Sequence, residues 1–197
     1  MELILASNNR GKACEFARLF NGHTIVLPAE RGVQFSFDEA GSTFLENALG
    51  KARKLYTIIK KPVIADDSGL CVTALDGKPG IYSARFGSQE KGERLTDSER
   101  NEFLLSLLKN TIDRRAFFVC CMVLLLSQYR FFAAQEILSG EIARKQSGAR
   151  GFGYDPVFSL PTSGKTVAEL ADNEKDTLSH RGKAARCILT IINSIDL

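Results

Sequence analysis

The chain of 197 residues is 44% hydrophobic and 25% charged, and 26 Lys and Arg against 23 Asp and Glu leave a net charge of +3. These values exclude a collagen-like chain and give no support to disorder throughout; the charge balance does not suggest a nucleic-acid coat protein, though it leaves room for a local basic pocket. The longest apolar run, Ala116 to Leu126, has eleven residues, short of the roughly 20 that a membrane helix needs.

Taken in order, Glu2 to Ala6 reads as a short buried strand. A polar turn, Ser7-Asn8-Asn9-Arg10-Gly11-Lys12, leads into a helix from about Gly11 to Phe20. Ile25 to Leu27 is the next candidate strand. Thr43 and Glu46 have the spacing of a capping box, and Leu45, Ala48, Ala52, Leu55, Tyr56 and Ile59 recur behind it at helical intervals. Pro62 closes that helix, and Val63 to Ala65 is a strand that runs into Asp66 and Asp67.

Asp76 to Gly80, DGKPG, is turn chemistry. Thr96 with Glu99 opens a helix to about Leu108. Phe117 to Leu126 and Tyr129 to Ile137 pair as antiparallel strands about Ser127 and Gln128. Ser179 caps a last helix with Ala185, Ile188, Leu189, Ile192 and Ile195 on its apolar face. Strands alternating with helices, plus a hairpin, give one α/β domain over residues 1–197 with a mixed sheet.

The five cysteines form no CxxC pair, and there are only two histidines, His23 and His180. A zinc site is disfavoured, and buried free thiols in a reducing compartment are the better reading. Asn8, Asn9, Arg10 and Lys12 interrupt the first apolar stretch, against a signal peptide. The expectation is a cytoplasmic protein without a membrane anchor.

Five polar clusters remain, and each admits a functional and a structural reading. Ser7 to Lys12 lies at a strand-to-helix junction, where free N–H groups, the helix dipole and Lys12 favour a phosphate. The same residues also serve as a helix cap. Asp66 and Asp67 suit Mg²⁺, with one acid as a base for water, or they form an Asx turn. Glu39 could join them from its loop, though a loop acid alone is ordinary surface.

Gly77 to Phe86 reads first as structure, with Arg85 paired to a carboxylate. Phe152-Gly153-Tyr154-Asp155 lets a backbone and an aromatic ring approach a flat ligand, or is a glycine-rich turn. Lys175 with His180 and Arg181 is weak in isolation. Together, one acidic loop, several basic residues and an aromatic turn suggest a pocket for a magnesium-bound nucleotide polyphosphate.

The segments SNNRGK, STFLENALGKAR, ADDSGLCVTALDGKPGIYSARFG, GFGYDPVF and LSHRGKA occur in order along essentially the whole chain. In these the sequence resembles the inosine triphosphate pyrophosphatases, in their bacterial dITP/XTP branch. The resemblance implies a long mixed β-sheet flanked by helices, in two lobes with a central substrate groove. It implies Mg²⁺-dependent hydrolysis of deaminated purine triphosphates (ITP, dITP, XTP) to the monophosphate and pyrophosphate, by a cytoplasmic homodimer without nucleic-acid or membrane partners.

Residue by residue, it places Ser7, Asn9 and Lys12 on the polyphosphate, with Asn8, Arg10 and Gly11 in the same loop. Lys51 is a phosphate-binding lysine, Glu39 and Asp67 hold the metal, and Asp67 is also the general base. Ser68 contacts substrate, Phe152, Gly153, Tyr154 and Asp155 form the base-binding loop, and Lys175, His180 and Arg181 complete the nucleotide contacts. The chain departs from many relatives at Lys145-Gln146-Ser147, where they have a proline, in the polar stretch Arg94 to Asn101, and in the Cys120-Cys121 pair within a strand. Two rival readings stand beside this one: a non-catalytic nucleotide-binding module, and a pyrophosphatase for other modified nucleotides.

Overall fold

The computed structural model describes residues 1–88 and 92–195. Its sheet has six strands in the order β2-β1-β3-β4-β5-β6. These are β1 (Glu2–Leu5), β2 (Thr24–Val26), β3 (Val63–Val72), β4 (Arg115–Ser127), β5 (Arg130–Ile142) and β6 (Phe158–Ser159). The helices are α1 (Arg10–Leu19), α2 (Phe44–Ile59), α3 (Asp97–Leu107), α4 (Asp172–Leu178) and α5 (His180–Ser194). β1 pairs in parallel with β2 and β3, whereas β5 and β6 are antiparallel, so the sheet is mixed. β4 and β5 are neighbours joined by only Gln128 and Tyr129, a link that only an antiparallel pair accommodates.

The chain forms two units, each assembled from separate stretches. The first comprises residues 1–67, 120–136 and 176–197, and the second 68–119 and 137–175. β3, β4 and β5 each pass from one unit to the other along their length.

In the first unit, strand alternation sorts side chains to two faces of the sheet. Leu3, Leu5, Ile64, Cys120, Met122 and Leu124 pack with Phe16 and Phe20 of α1 and with Ala184, Ala185 and Ile188 of α5. Ile4, Ala6, Val63, Ala65, Val123 and Leu125 pack with Ala48, Ala52 and Leu55 of α2. The register Leu5 to Ile64 and Ile4 to Val63 keeps each set on its own face. In the second unit the core gathers Leu70, Val72, Leu104, Leu108, Phe118, Tyr154, Val157 and Phe158.

The helix ends follow local chemistry with one difference. At α3 the Thr96–Glu99 box closes both ways, at 3.3 Å from Glu99 N to Thr96 Oγ1 and 2.8 Å from Thr96 N to Glu99 Oε2. At α2, Thr43 accepts from Glu46 N at 3.1 Å, but the Glu46 carboxylate turns to Ser42, accepting its N–H at 2.7 Å and its hydroxyl at 2.8 Å. Having a hydroxyl as well as an N–H, Ser42 offers that carboxylate two donors.

The hairpin strands run further than sequence alone predicts, and β3 does not stop at Ala65 but continues to Val72. The thiols also differ from expectation: Cys71, Cys120 and Cys121 are buried, but Cys14 and Cys187 are exposed. Among the described residues no helix is long and apolar enough to cross a membrane.

Candidate active site

Asp66 and Asp67 lie within β3, not after it, and both are buried. Adjacent strand residues point to opposite faces, so the two carboxylates belong to different surroundings. Asp66 shares the parity of Ile64 and faces α1 and α5. Asp67 shares that of Ala65 and faces α2. The expectation of two acids side by side on one ligand therefore becomes two separate constellations.

On the α2 face, Lys51 Nζ lies 2.7 Å from Asp67 Oδ1 and 2.5 Å from Glu39 Oε1, and it donates to the Asp66 carbonyl at 3.2 Å. Asn47, one turn earlier on α2, donates to Asp67 Oδ2 at 3.2 Å. Helical spacing brings both side chains to the same face. Burial raises the pKa of the Asp67 carboxyl, against the pull of Lys51 and with the help of Glu39's charge. Burial opposes the charge on Lys51, but Asp67, Glu39 and Asp66 outweigh it, and the ammonium is retained.

On the other face, Asp66 accepts from Lys12 Nζ at 2.8 Å and from Arg181 Nε and Nη2 at 3.2 and 3.0 Å. Arg181 Nη1 meets Glu15 at 2.6 Å. Burial alone would push Asp66 up, but Lys12, Arg181 and Lys51 hold it well below the usual carboxylate range. Cys120 Sγ lies 3.9 Å from Asp66 Oδ2, and burial followed by that charge drives the thiol far up, so it is inert.

The loop before α1 is tightly tied. Asn9 caps α1, accepting from Lys12 N at 3.0 Å, and donates its own N–H to Ser7 Oγ at 3.1 Å. Asn8 donates to the Phe35 carbonyl at 2.6 Å. Arg10 and Gly11 form the first turn of α1. His180 and Arg181 open α5, capped by Ser179, whose hydroxyl accepts from Gly182 N at 3.0 Å. A Cβ at Gly182 would stand 1.9 Å from the Asp176 carbonyl oxygen, so only glycine lets α5 start there. Ser68, half-buried, follows Asp67 in β3, on the second unit's side of the division.

In the second unit Asp155 is buried and accepts from Lys175 Nζ at 2.7 Å and from Phe152 N at 2.9 Å. Lys175 Nζ also stands 5.1 Å from the Phe152 ring centre. A Cβ at Gly151, where φ is +75°, would reach 2.1 Å from Asp155 Oδ2, so the chain wraps the carboxylate closely. Tyr154 is not a stacking surface. It is 4% exposed, lies in the core, and donates its hydroxyl to the Ser83 carbonyl at 2.9 Å. Within GKPGIYSAR, Ser83 Oγ accepts from Leu70 N at 2.8 Å, and Arg85 lies 4.9 Å from the Tyr82 ring centre.

Four residues of these constellations are not among the candidate site residues of the sequence. Glu15 and Asn47 sit at i+3 from Lys12 and i−4 from Lys51, a helical spacing that could have flagged them. Asp97 and Asn101 of α3 hold Gly153, and the unusual polarity of that stretch was their only signal.

A sequence model of the Ham1 family matches residues 3–191. The chain belongs to the Ham1 family. This agrees with the resemblance carried by the motifs. A dITP/XTP pyrophosphatase of Treponema denticola is 51% identical over 184 residues, 93% of this chain and 94% of that protein. One from Staphylococcus aureus is 43% identical over 183 residues, covering 93% and 92%. Among solved structures, the Staphylococcus aureus Ham1 protein superposes with a TM-score of 0.86 at 41% identity, covering 98% of each chain. A HAM1 protein from Coxiella burnetii gives 0.87 at 36% identity, covering 99% of this chain and 100% of the other. The α/β fold with a mixed, helix-flanked sheet is thus that of the Ham1 structures.

Proposed function

We propose that this chain hydrolyses deaminated purine nucleoside triphosphates, dITP, ITP and XTP, to the monophosphate and pyrophosphate. The dITP/XTP pyrophosphatases to which it is similar over nine-tenths of its length support that activity. The observation that carries the chemistry is the convergence of Glu39 and Asp67 on one cationic nitrogen.

Two carboxylate oxygens gathered around a positive charge are a fitting donor set for Mg²⁺, which takes one or two protein carboxylates and completes its shell with phosphates and water. Bound there, the cation would neutralise the leaving pyrophosphate and orient the phosphates.

The remaining work falls to side chains of the protein. Asp67, made more basic by burial, orients or deprotonates the water that attacks the α-phosphorus. Lys12 and Lys51 supply positive charge to the triphosphate, with Ser7, Asn9 and the N–H groups at the start of α1. Phe152 offers its ring to the purine, and Asp155 with Lys175 fixes that loop.

Selectivity follows from the 6-oxo group of hypoxanthine or xanthine, which donors in the site satisfy and the 6-amino group of adenine does not. His180 is one candidate donor. Arg181 is engaged by Asp66 and Glu15. The same reading takes residues 1–197 as one catalytic domain of a cytoplasmic homodimer, without nucleic-acid or membrane partners.

Pyrophosphate release from dITP, ITP, XTP, GTP, ATP and dTTP, with Mg²⁺ and again with EDTA, tests it. The expected result is strong preference for the deaminated purines, abolished by EDTA and restored by Mg²⁺. Equal rates on ATP, or a preference for dTTP, would refute it.

A further inference from the structure

We infer that Asp97 and Asn101 of α3 are positioning residues for the base-binding loop, clamping the Gly153 backbone so that Phe152 presents its ring to the purine. This rests on the reading of Phe152 to Asp155 as that loop. Asp97 Oδ2 accepts from Gly153 N at 2.6 Å, and Asn101 Nδ2 donates to Gly153 O at 3.0 Å. One helix thus holds both polar groups of a single residue, from positions i and i+4 on the same face.

Gly153 itself has φ +64° and nothing near its missing Cβ, so no side-chain packing holds it there. Hydrogen bonds from α3 replace packing as the restraint. The clamp has a second arm: Asn101 Nδ2 lies 3.3 Å from Gln146 Oε1, and Gln146 Nε2 donates to Ser98 Oγ at 3.2 Å.

Gln146 and Ser98 thus join Asp97 and Asn101 in one polar cluster beside Gly153. Asn101 is 1% exposed, and its Oδ1 has no hydrogen-bond partner among the described residues. Burying an amide in this state is costly. Holding Gly153 accounts for it. Asp97 is also paired with Arg100 at 2.8 Å, which fixes the carboxylate between the helix and the loop.

Binding of the two ends of the substrate can be separated with IMP, which carries the base, and inorganic tripolyphosphate, which does not. By calorimetry with Mg²⁺, Asp97→Ala should weaken IMP about tenfold and leave tripolyphosphate unchanged. Asp97→Asn, which keeps an acceptor oxygen, should stay within about threefold of the wild type. Asn101→Ala should repeat the Asp97→Ala pattern, with its melting temperature recorded because the site is buried. Unchanged IMP binding in Asp97→Ala, or equal weakening of both ligands, overturns the inference. If wild-type protein binds tripolyphosphate but not IMP, the base-loop reading itself falls, whatever the variants do.

Discussion

The two units hold their charged groups in different ways. In the first, side chains rooted in a strand and helices meet around Asp66 and Asp67: Lys12 and Glu15 on α1, Asn47 and Lys51 on α2, Arg181 on α5, with Glu39 joining from a loop. In the second, side chains hold a loop backbone: Asp155 takes the Phe152 N–H, and Asp97 and Asn101 take the two sides of Gly153. Regular elements give the first set fixed geometry, and a braced loop gives the second set close backbone approach.

The largest effect that could break this contrast is at Asp67. Asp67→Asn should lower kcat for dITP by a factor of about 10² to 10⁴, as loss of a general base does, with the melting temperature little changed. A pyrophosphate-release assay beside a thermal melt checks both. If activity survives, the α2 face is not the chemical one.

Asp66→Asn should behave in the opposite sense, as a stability variant first. It leaves Arg181, 3% exposed, with a weakened partner, and breaking a buried pair costs about 3–5 kcal/mol. Its pH dependence has a definite sign. The folded state holds the Asp66 carboxyl below its ordinary value, so its contribution is complete above the unfolded value of about 4 and is lost as pH falls below it. The gap in unfolding free energy between wild type and Asp66→Asn, from urea titrations, should therefore narrow below pH about 4.

Smaller effects belong to the second unit. Phe152→Ala should reduce ITP and ATP hydrolysis together, by about tenfold to a hundredfold, because stacking is worth about 1–3 kcal/mol and is blind to base identity. A changed ITP/ATP ratio would move base reading onto that ring. Smallest is Tyr154→Phe, which loses the bond to Ser83 O and should cost about 1 kcal/mol of stability with activity intact. A large loss of activity would put Tyr154 at the ligand after all.

Much of this was legible in the chain because it is local. The α3 and α5 caps, the apolar periodicity of α2 and the SNNRGK turn before α1 all follow from residues within a few positions of one another. The roles of Asp66 and Asp67 were not. A turn signal in DDSG argued for the end of a strand, but burial of Leu70 to Val72 carries β3 onward, and tertiary packing overrides the local propensity. The setting of Tyr154 is hidden for a related reason: an aromatic beside a glycine looks like a platform, and only its partners show that it lies in the core. Glu15 and Asn47 carry only a helical spacing to Lys12 and Lys51, and the hold of Asp97 and Asn101 on Gly153 joins distant segments, which no local pattern encodes.

The placement of both acids inside a continuous strand has a consequence for how this gene can change. Gain or loss of one codon between Val63 and Asp67 that slips β3 by one position would leave a hydrophobic strand able to pair, yet exchange the faces of every side chain in it. Asp67 would then turn toward the face of Lys12 and Arg181, and Asp66 toward that of Lys51. Point substitutions in this segment can be graded in effect, but a single-residue indel has no mild form.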